Sequence, residues 1–182
     1  MTRLRFEGVA LRRGGRLLFE GLDLTLGPGE GVRVTGPNGA GKSSLLRLAA
    51  GLLKAERGTV ERSRLALADD HPALDRELPL RAALHFWGGA VDEAMTSLGI
   101  ARLAEVPVRL LSSGQLKRAT LARLVSSGAP LWLLDEPLNA LDGEGAERLA
   151  AVVEAHRRSG GAVLAASHQP LPGDWQGREL GA

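Results

Sequence analysis

Residues 36–43 read Gly36-Pro37-Asn38-Gly39-Ala40-Gly41-Lys42-Ser43, which fits the phosphate-loop pattern G-x-x-x-x-G-K-[ST]. Glycines let such a loop curl so that backbone N–H groups point at phosphate oxygens, and a helix that starts there presents its positive end to the same anion. We expect Lys42 to bind the β- and γ-phosphates, Ser43 to ligate Mg²⁺, and the adjacent Ser44 to contact the nucleotide. A glycine-rich turn that fits by chance is the alternative. The apolar strand predicted at Val32 to Thr35 and the amphipathic helix predicted from Lys42 to Leu53 favour the phosphate loop.

A second motif ends an apolar run further along the chain. Leu131 to Leu134 is typical of a strand buried on both faces, and Asp135 and Glu136 follow it directly. Asp135 can hold Mg²⁺ directly or through a water, and Glu136 can orient or deprotonate an attacking water. A strand that leaves the core with two solvated acids is common. The presence of a complete phosphate loop in the same chain favours the interpretation that both motifs serve one reaction.

The remaining pattern predicts an α/β fold with a helical segment inserted into it. The stretch from His71 to Ser126 is predicted to be helical, with breaks at Pro79, Gly88-Gly89, Gly99 and Pro107. An amphipathic helix is predicted from Gly145 to Arg158. Further strands are predicted at Leu4 to Phe6, Leu22 to Leu26, Thr59 to Glu61, Leu65 to Ala68 and Ala162 to Ala166.

Composition narrows the class of protein. The 182 residues include no cysteine, which removes disulfides and thiolate metal sites. Lys and Arg number 23 against 21 Asp and Glu, and aromatic residues make up only 3%, so we expect no nucleic-acid partner. No apolar run approaches the roughly 20 residues that cross a bilayer, so we expect no direct insertion into a membrane.

Three further motifs resemble those of one family. Leu111-Ser112-Ser113-Gly114-Gln115 is similar to the signature of ABC ATPases, usually Leu-Ser-Gly-Gly-Gln. Leu138 to Asp142 resembles the D-loop of that family, and His168 resembles its switch histidine. The resemblance covers nearly the whole chain, with the motifs in family order. Alone, each piece has a plainer interpretation: a helix N-cap, a turn, or a structural histidine.

The resemblance implies the fold of an ABC-type P-loop NTPase. Such a fold has a RecA-like α/β core, an antiparallel β subdomain and an inserted α-helical subdomain. The whole chain, 1–182, would be a single ABC ATPase domain. Its core would comprise 1–70 and 127–182, and its helical subdomain about 71–126.

The resemblance also implies how the site works. ATP and Mg²⁺ are the expected cofactors, and ATP closes a homodimer in which each nucleotide contacts the phosphate loop of one copy and the signature of the other. Ser112, Gly114 and Gln115 would bind the nucleotide across that interface. Lys42, Glu136 and His168 would be catalytic, with His168 contacting the γ-phosphate. A polytopic membrane permease would be the partner and would hold the protein at the cytoplasmic face of the membrane.

Two positions depart from the family pattern. A glutamine normally serves Mg²⁺ and the attacking water between the core and the helical subdomain, and His71 occupies that slot here. Imidazole is a poor Mg²⁺ ligand, so either Asp70 or a water held by His71 is expected to fill the role of the glutamine. The alternative is that His71 only caps a loop and the site hydrolyses more slowly. Arg13 stands where the family has an adenine-stacking aromatic. A guanidinium can stack on a base, although a plain surface arginine is an equal alternative.

The short length, Arg13, His71-Pro72 and the segment Leu84 to Trp87 resemble one subgroup, the haem-exporter ATP-binding subunits of c-type cytochrome maturation. This implies a haem-exporter permease as the partner. His85 and His156 are expected to be helix-surface or coupling residues rather than haem ligands. The alternatives are an ABC ATPase for another exported cargo and an ATP-sensing module that hydrolyses weakly. A soluble ABC protein for DNA repair or ribosomes is disfavoured, because this chain has neither coiled-coil insertions nor tandem cassettes.

Overall fold

A computed structural model describes residues 2–181, which form two sheets with helices between and around them. The first five strands in chain order are β1 (Leu4–Arg13), β2 (Arg16–Leu26), β3 (Gly31–Thr35), β4 (Arg57–Arg62) and β5 (Leu65–Ala68). The last three are β6 (Leu131–Asp135), β7 (Ala162–Ala166) and β8 (Gln176–Glu179). The helices are α1 (Lys42–Ala49), α2 (Leu80–His85), α3 (Val91–Ser97), α4 (Ser113–Ser126) and α5 (Gly143–Arg158), with short 3₁₀ turns at Ala101–Leu103 and Val108–Leu110.

The two sheets differ in strand direction. A three-stranded antiparallel sheet has the order β2-β1-β4, and a five-stranded parallel sheet has the order β5-β6-β7-β3-β8. This is the predicted α/β fold with an antiparallel β unit. Parallel strands end at the same edge of their sheet, so the residues after β3, β6 and β7 meet there.

Alternation along the central strands divides the core into two clusters. On β6, Trp132 and Leu134 pack with the helices α2 to α5, whereas Leu131 and Leu133 pack with α1 and the antiparallel sheet. Both faces of the parallel sheet are therefore buried, as the four-residue apolar run predicted. Helices α2 to α4 share their core with the sheet, and the division of the chain at about 71 and 126 remains a prediction.

The predicted helical stretch from His71 to Ser126 is wrong at its start, because residues 71–79 form no helix. Asp69 Oδ1 accepts a hydrogen bond from the N–H of His71 at 3.0 Å, and Asp75 Oδ1 accepts one from the N–H of Glu77 at 2.9 Å. These local side-chain bonds compete with helical ones. Ala73 has a φ of 51°, which also interrupts a right-handed helix.

Strands β1, β2 and β4 are longer than predicted, and two further differences from the prediction concern α1 and β8. Helix α1 ends at Ala49 rather than Leu53, because Gly51 adopts a φ of 77° that terminates the helix, and Leu52 is 63% exposed. Strand β8 was not predicted, because its residues are polar and exposed and so show no apolar alternation. Among residues 2–181, no helix is both long enough and apolar enough to cross a bilayer.

Candidate active site

The phosphate loop connects β3 to α1 and is shaped by left-handed glycines. Gly39 and Gly41 have φ values of 81° and 101°, and Gly41 is the N-cap of α1. Within residues 2–181, the backbone N–H groups of these two glycines form no hydrogen bond. The buried Lys42 ammonium donates to the carbonyls of Gly36 at 2.8 Å and Pro37 at 3.2 Å. Free N–H donors, a helix start and an ammonium therefore surround one concavity, which fits a phosphate group.

A serine and a carboxylate lie together beside this loop. Ser43 Oγ donates to Asp135 Oδ1 at 3.1 Å, which joins the start of α1 to the end of β6. Two neighbouring ligands of an octahedral Mg²⁺, each about 2.0–2.1 Å from the metal, lie roughly 2.9 Å apart. The pair therefore fits Mg²⁺ in both chemistry and spacing. Burial raises the pKa of Asp135, and the hydrogen bond from Ser43 opposes that rise.

Glu136 and His168 form a second pair at the same sheet edge. Glu136 Oε2 is 2.8 Å from His168 Nδ1 and accepts the backbone N–H of His168 at 3.3 Å. Glu136 has a φ of 44°, which is uncommon for a residue with a side chain, and its N–H donates to Ala166 O on β7 at 2.9 Å. The strained backbone turns this carboxylate out of the strand direction and towards His168.

The phosphate loop, Ser43 and Glu136 line one cleft of about 460 Å³, and Asp135 and His168 contact two of these lining residues. Arg13, at the end of the β1–β2 hairpin, reaches the cleft, and its Nη1 is 3.4 Å from Ser44 Oγ. The hairpin turn Gly14-Gly15 has positive φ at both residues, which suits the twist of a two-residue turn and brings Arg13 to this end. The lining consists of Arg13, Leu18, Asn38, Gly39, Gly41, Lys42, Ser43, Ser44 and Glu136.

The predicted signature forms the N-terminus of α4. Ser112 is the N-cap, and its Oγ accepts the N–H of Gln115 at 3.3 Å while Gln115 Oε1 accepts the N–H of Ser112 at 3.0 Å. This reciprocal capping box gives Gln115 a structural task in addition to its predicted nucleotide contact. Ser113 is the first helical residue and has no positive φ, so the replacement of a glycine there is tolerated.

The signature lines a different cleft from the phosphate loop. That cleft holds Ser112, Gly114 and Gln115 beside Arg118 and Asp142, and it shares no lining residue with the cleft of the phosphate loop. Arg118 pairs with Asp142, the N-cap of α5, and a Cβ on Gly114 would lie 2.8 Å from Ala140 O. The signature segment and the predicted D-loop therefore pack closely against each other.

Among the contacts of residues 2–181, none joins His71 to the Ser43–Asp135 pair. The His71 side chain is 80% exposed, and its Nδ1 is 3.7 Å from Asp69 Oδ2. Asp70 is also exposed, but it lies close enough to Asp135 to raise the pKa of that carboxyl. A direct role for either residue stays a prediction.

Sequence reasoning missed Lys117, a buried side chain of α4 next to the site. Its Nζ donates to Asp135 O at 3.4 Å and lies 4.0 Å from Asp70 Oδ1. Burial lowers the pKa of Lys117, and the carboxylates of Asp70, Asp135, Asp69 and Glu136 oppose that shift. The sequence does place Lys117 near the signature, because it follows Ser113 by four residues and so lies one helical turn beyond it on the same face of α4.

The expectation that His156 lies on a helix surface is wrong. Its ring stacks on Trp132 with centroids 3.8 Å apart and an interplanar angle of 4°. Burial lowers the pKa of His156 to about 4. Among the described residues, His156 Nε2 and Trp132 Nε1 are buried without a hydrogen-bond partner. His156 therefore belongs to the packing between α5 and β6.

Comparisons with known proteins show the family of this chain. A family model described as ABC transporter matches residues 19–139. The "Cytochrome c biogenesis ATP-binding export protein CcmA" of Sphingopyxis alaskensis is 54% identical over 92% of this chain and 91% of its own length. The protein of the same name from Zymomonas mobilis is 51% identical over 93% of this chain and 80% of its own length.

Solved structures share the fold. The ATP-binding subunit of an ABC transporter superposes with a TM-score of 0.85 at 21% identity, covering 92% of this chain and 80% of that one. A dimeric ATP-binding cassette in a post-hydrolysis state, bound to ADP and Pi, has a TM-score of 0.79 at 22% identity. That match covers 91% of this chain and 88% of the other.

Proposed function

Because this chain belongs to the ABC transporter family, and within it to the cytochrome c biogenesis ATP-binding export proteins, we propose that it hydrolyses ATP to drive haem export through a membrane permease. The observation that carries the proposal is one cleft at the carboxyl edge of the parallel sheet. There the phosphate loop, the Ser43–Asp135 pair and the Glu136–His168 pair lie together.

Each side chain has a distinct task in the proposed hydrolysis. Lys42 and the loop N–H groups hold the phosphates, and Glu136 accepts a proton from the attacking water as that water approaches the γ-phosphorus. With both ring nitrogens donating, as in an imidazolium, His168 would hold the Glu136 carboxylate through Nδ1 and bind the γ-phosphate through Nε2. Ser43 and Asp135 would hold Mg²⁺, which when bound offsets the negative charge of the phosphates.

A dimer is the proposed working state. The signature lines a cleft separate from that of the phosphate loop. We therefore expect that the signature and the phosphate loop of a single copy do not contact the same nucleotide. A second copy, packed head to tail, would bring its signature helix N-terminus to the γ-phosphate. Arg13 would then cover the adenine, and the γ-phosphate would join the two copies until hydrolysis releases them.

An exposed apolar patch supports a permease partner. Phe86 is 81% exposed after α2 and contacts Trp87 edge-on with ring centroids 5.5 Å apart. Leu78 and Leu110 are also exposed, on the two sides of the bridge between Pro79 and Pro107. Phe86 and Trp87 follow α2, whereas Leu78 precedes it. Exposed large apolar side chains are typical of a protein contact. We assign the patch of Phe86 and Trp87 to the permease, which would keep the chain at the cytoplasmic face of the membrane.

Phosphate release from the purified protein tests the enzyme. We expect Mg²⁺-dependent turnover that Lys42→Ala abolishes together with nucleotide binding. Glu136→Gln should abolish turnover while leaving nucleotide binding intact. Equal turnover in wild type and Glu136→Gln would instead favour an ATP-sensing module, the alternative raised by the absent glutamine near His71.

A separate experiment tests the cargo. In a strain that lacks this gene, we expect the wild-type chain to restore holocytochrome c, detected by haem staining, and Glu136→Gln to fail. Normal holocytochrome c in the deletion strain would point to another exported cargo and would leave the ATPase assignment standing.

A further inference from the structure

The side chain of Lys117 occupies a buried place between two strand ends. It is 8% exposed and extends from α4 to the carbonyl of Asp135 at 3.4 Å. On its other side the carboxylate of Asp70, which follows β5, lies 4.0 Å away. Burial of an ammonium group costs free energy unless the group is paired with acceptors or opposite charges. Two features of the site can offset that cost.

The first feature is charge. Four carboxylates act on Lys117: Asp69, Asp70, Asp135 and Glu136. Other cations also act on this group of carboxylates: Arg47 of α1 acts on Asp135, and Arg123 of α4 interacts with Asp69. Removing the charge of Lys117 would leave the surroundings of the Ser43–Asp135 pair more negative.

The second feature is backbone position. The carbonyl that Lys117 contacts belongs to the peptide between Asp135 and Glu136. The next residue along, Glu136, holds the left-handed φ of 44°. Its N–H is fixed by Ala166 O at 2.9 Å, on the opposite side of the same peptide plane. Lys117 and Ala166 together therefore hold the one peptide whose orientation aims the Glu136 carboxylate.

We propose that Lys117 is a positioning residue of the hydrolytic site, which holds the Asp135–Glu136 peptide in place and limits the negative charge around the bound divalent cation. This inference rests on the proposed ATPase function. It adds a residue that touches neither nucleotide nor metal and acts through Asp135 and Glu136.

Loss of the Lys117 charge should change the cation affinity of the site in a defined direction. A neutral side chain at position 117 should strengthen the attraction of the site for a divalent cation while turnover falls. A residue that merely supports the fold would give the opposite result, because a loosened site binds the cation more weakly. The direction of the change in cation affinity therefore separates the two roles.

The experiment compares Lys117→Met, Lys117→Gln and Lys117→Arg, with Arg123→Met as the matched control. Arg123 is also a largely buried α4 cation, but its Nη2 donates to Leu67 O at 2.7 Å and its guanidinium lies 4.8 Å from the centre of the Trp87 ring. Mn²⁺ binding to the ADP-bound protein is followed by the loss of the free Mn²⁺ signal in electron paramagnetic resonance. This readout does not depend on hydrolysis. Thermal unfolding is measured in parallel, and Lys117→Gln serves if Lys117→Met does not fold.

We expect the Mn²⁺ concentration at half-saturation to fall on the order of fivefold in Lys117→Met and Lys117→Gln. Turnover should fall at least about tenfold in Lys117→Met, because the Glu136 carboxylate is no longer aimed. Lys117→Arg should keep Mn²⁺ binding and turnover close to the wild-type values, and Arg123→Met should leave Mn²⁺ binding unchanged. Unchanged or weaker Mn²⁺ binding in both neutral variants would overturn the role of Lys117. Absence of turnover in the wild type would instead overturn the proposed function.

Discussion

Replacement of Gly36 by alanine tests how the phosphate loop is fixed to the end of the chain. A Cβ at this position would lie 2.4 Å from Leu180 O and 3.3 Å from Leu180 C, both backbone atoms. Leu180 N donates to Thr35 O at 2.9 Å, directly after the pairing of β8 with β3. The added methyl group therefore has to push the C-terminal segment away from β3.

The cost follows from two effects. Gly36 has a φ of 137°, a conformation that side chains rarely adopt, and holding alanine there costs about 1–3 kcal/mol. Displacing a packed backbone segment adds about 1–3 kcal/mol. We therefore expect Gly36→Ala to lower the free energy of unfolding by roughly 2–6 kcal/mol, a large share of the total for an ordinary domain.

Urea unfolding, followed by circular dichroism, measures this change. Gly177→Ala is the matched control on β8, because its added Cβ meets nothing within 4 Å and its φ is not positive. That control should unfold at the wild-type midpoint or slightly above it, since alanine loses less backbone entropy on folding. If Gly36→Ala and Gly177→Ala both unfold at the wild-type urea midpoint, close packing of Gly36 against Leu180 does not contribute to stability as expected.

Three further perturbations have defined outcomes. Burial lowers the pKa of His156 to about 4, so its unfolded form binds more protons below about pH 6.5 and the stability due to the neutral ring is lost as the pH falls towards 4. After allowance for partial solvent access, the loss from about pH 7 to about pH 5 is roughly 1 kcal/mol, and His156→Phe should remove it from the urea midpoints. Ser112→Ala removes half of the capping box and should lower the unfolding free energy by about 1 kcal/mol, whereas Ser113→Ala should not. Ser43→Ala should raise the Mg²⁺ concentration needed for half-maximal turnover, and an unchanged requirement would remove Ser43 from the metal site.

The central strands and the phosphate loop could be predicted because their signals are local. The run Leu131 to Leu134 is apolar at every position, and a strand buried on both faces has that composition. The loop 36–43 needs glycines at particular places for its backbone geometry, so the pattern is visible without tertiary information.

The missed elements depend on contacts that a linear pattern does not contain. Strand β8 is exposed at all four positions and exists because β3 offers an unpaired edge. The segment before α2 has helix-forming residues, but Asp69 and Asp75 take up backbone N–H groups there.

The site was predicted by residue type but not by arrangement. Glu136 was expected to act on water, yet its left-handed backbone and its bond to His168 follow from β7 lying beside β6. Lys117 lies one helical turn after Ser113 of the signature, but only the packing of α4 against the ends of β5 and β6 brings its ammonium to Asp135. The roles of Arg13 and His71 stay predictions, with Arg13 at the cleft and His71 turned to solvent.

The separation of the two clefts has a genetic consequence. If one copy has a defective loop and the other a defective signature, a mixed pair assembles one site with both defects and one site with none. Two inactive alleles, Lys42→Ala and Ser112→Arg, should therefore complement each other in trans when expressed together. Neither would recover activity when expressed alone.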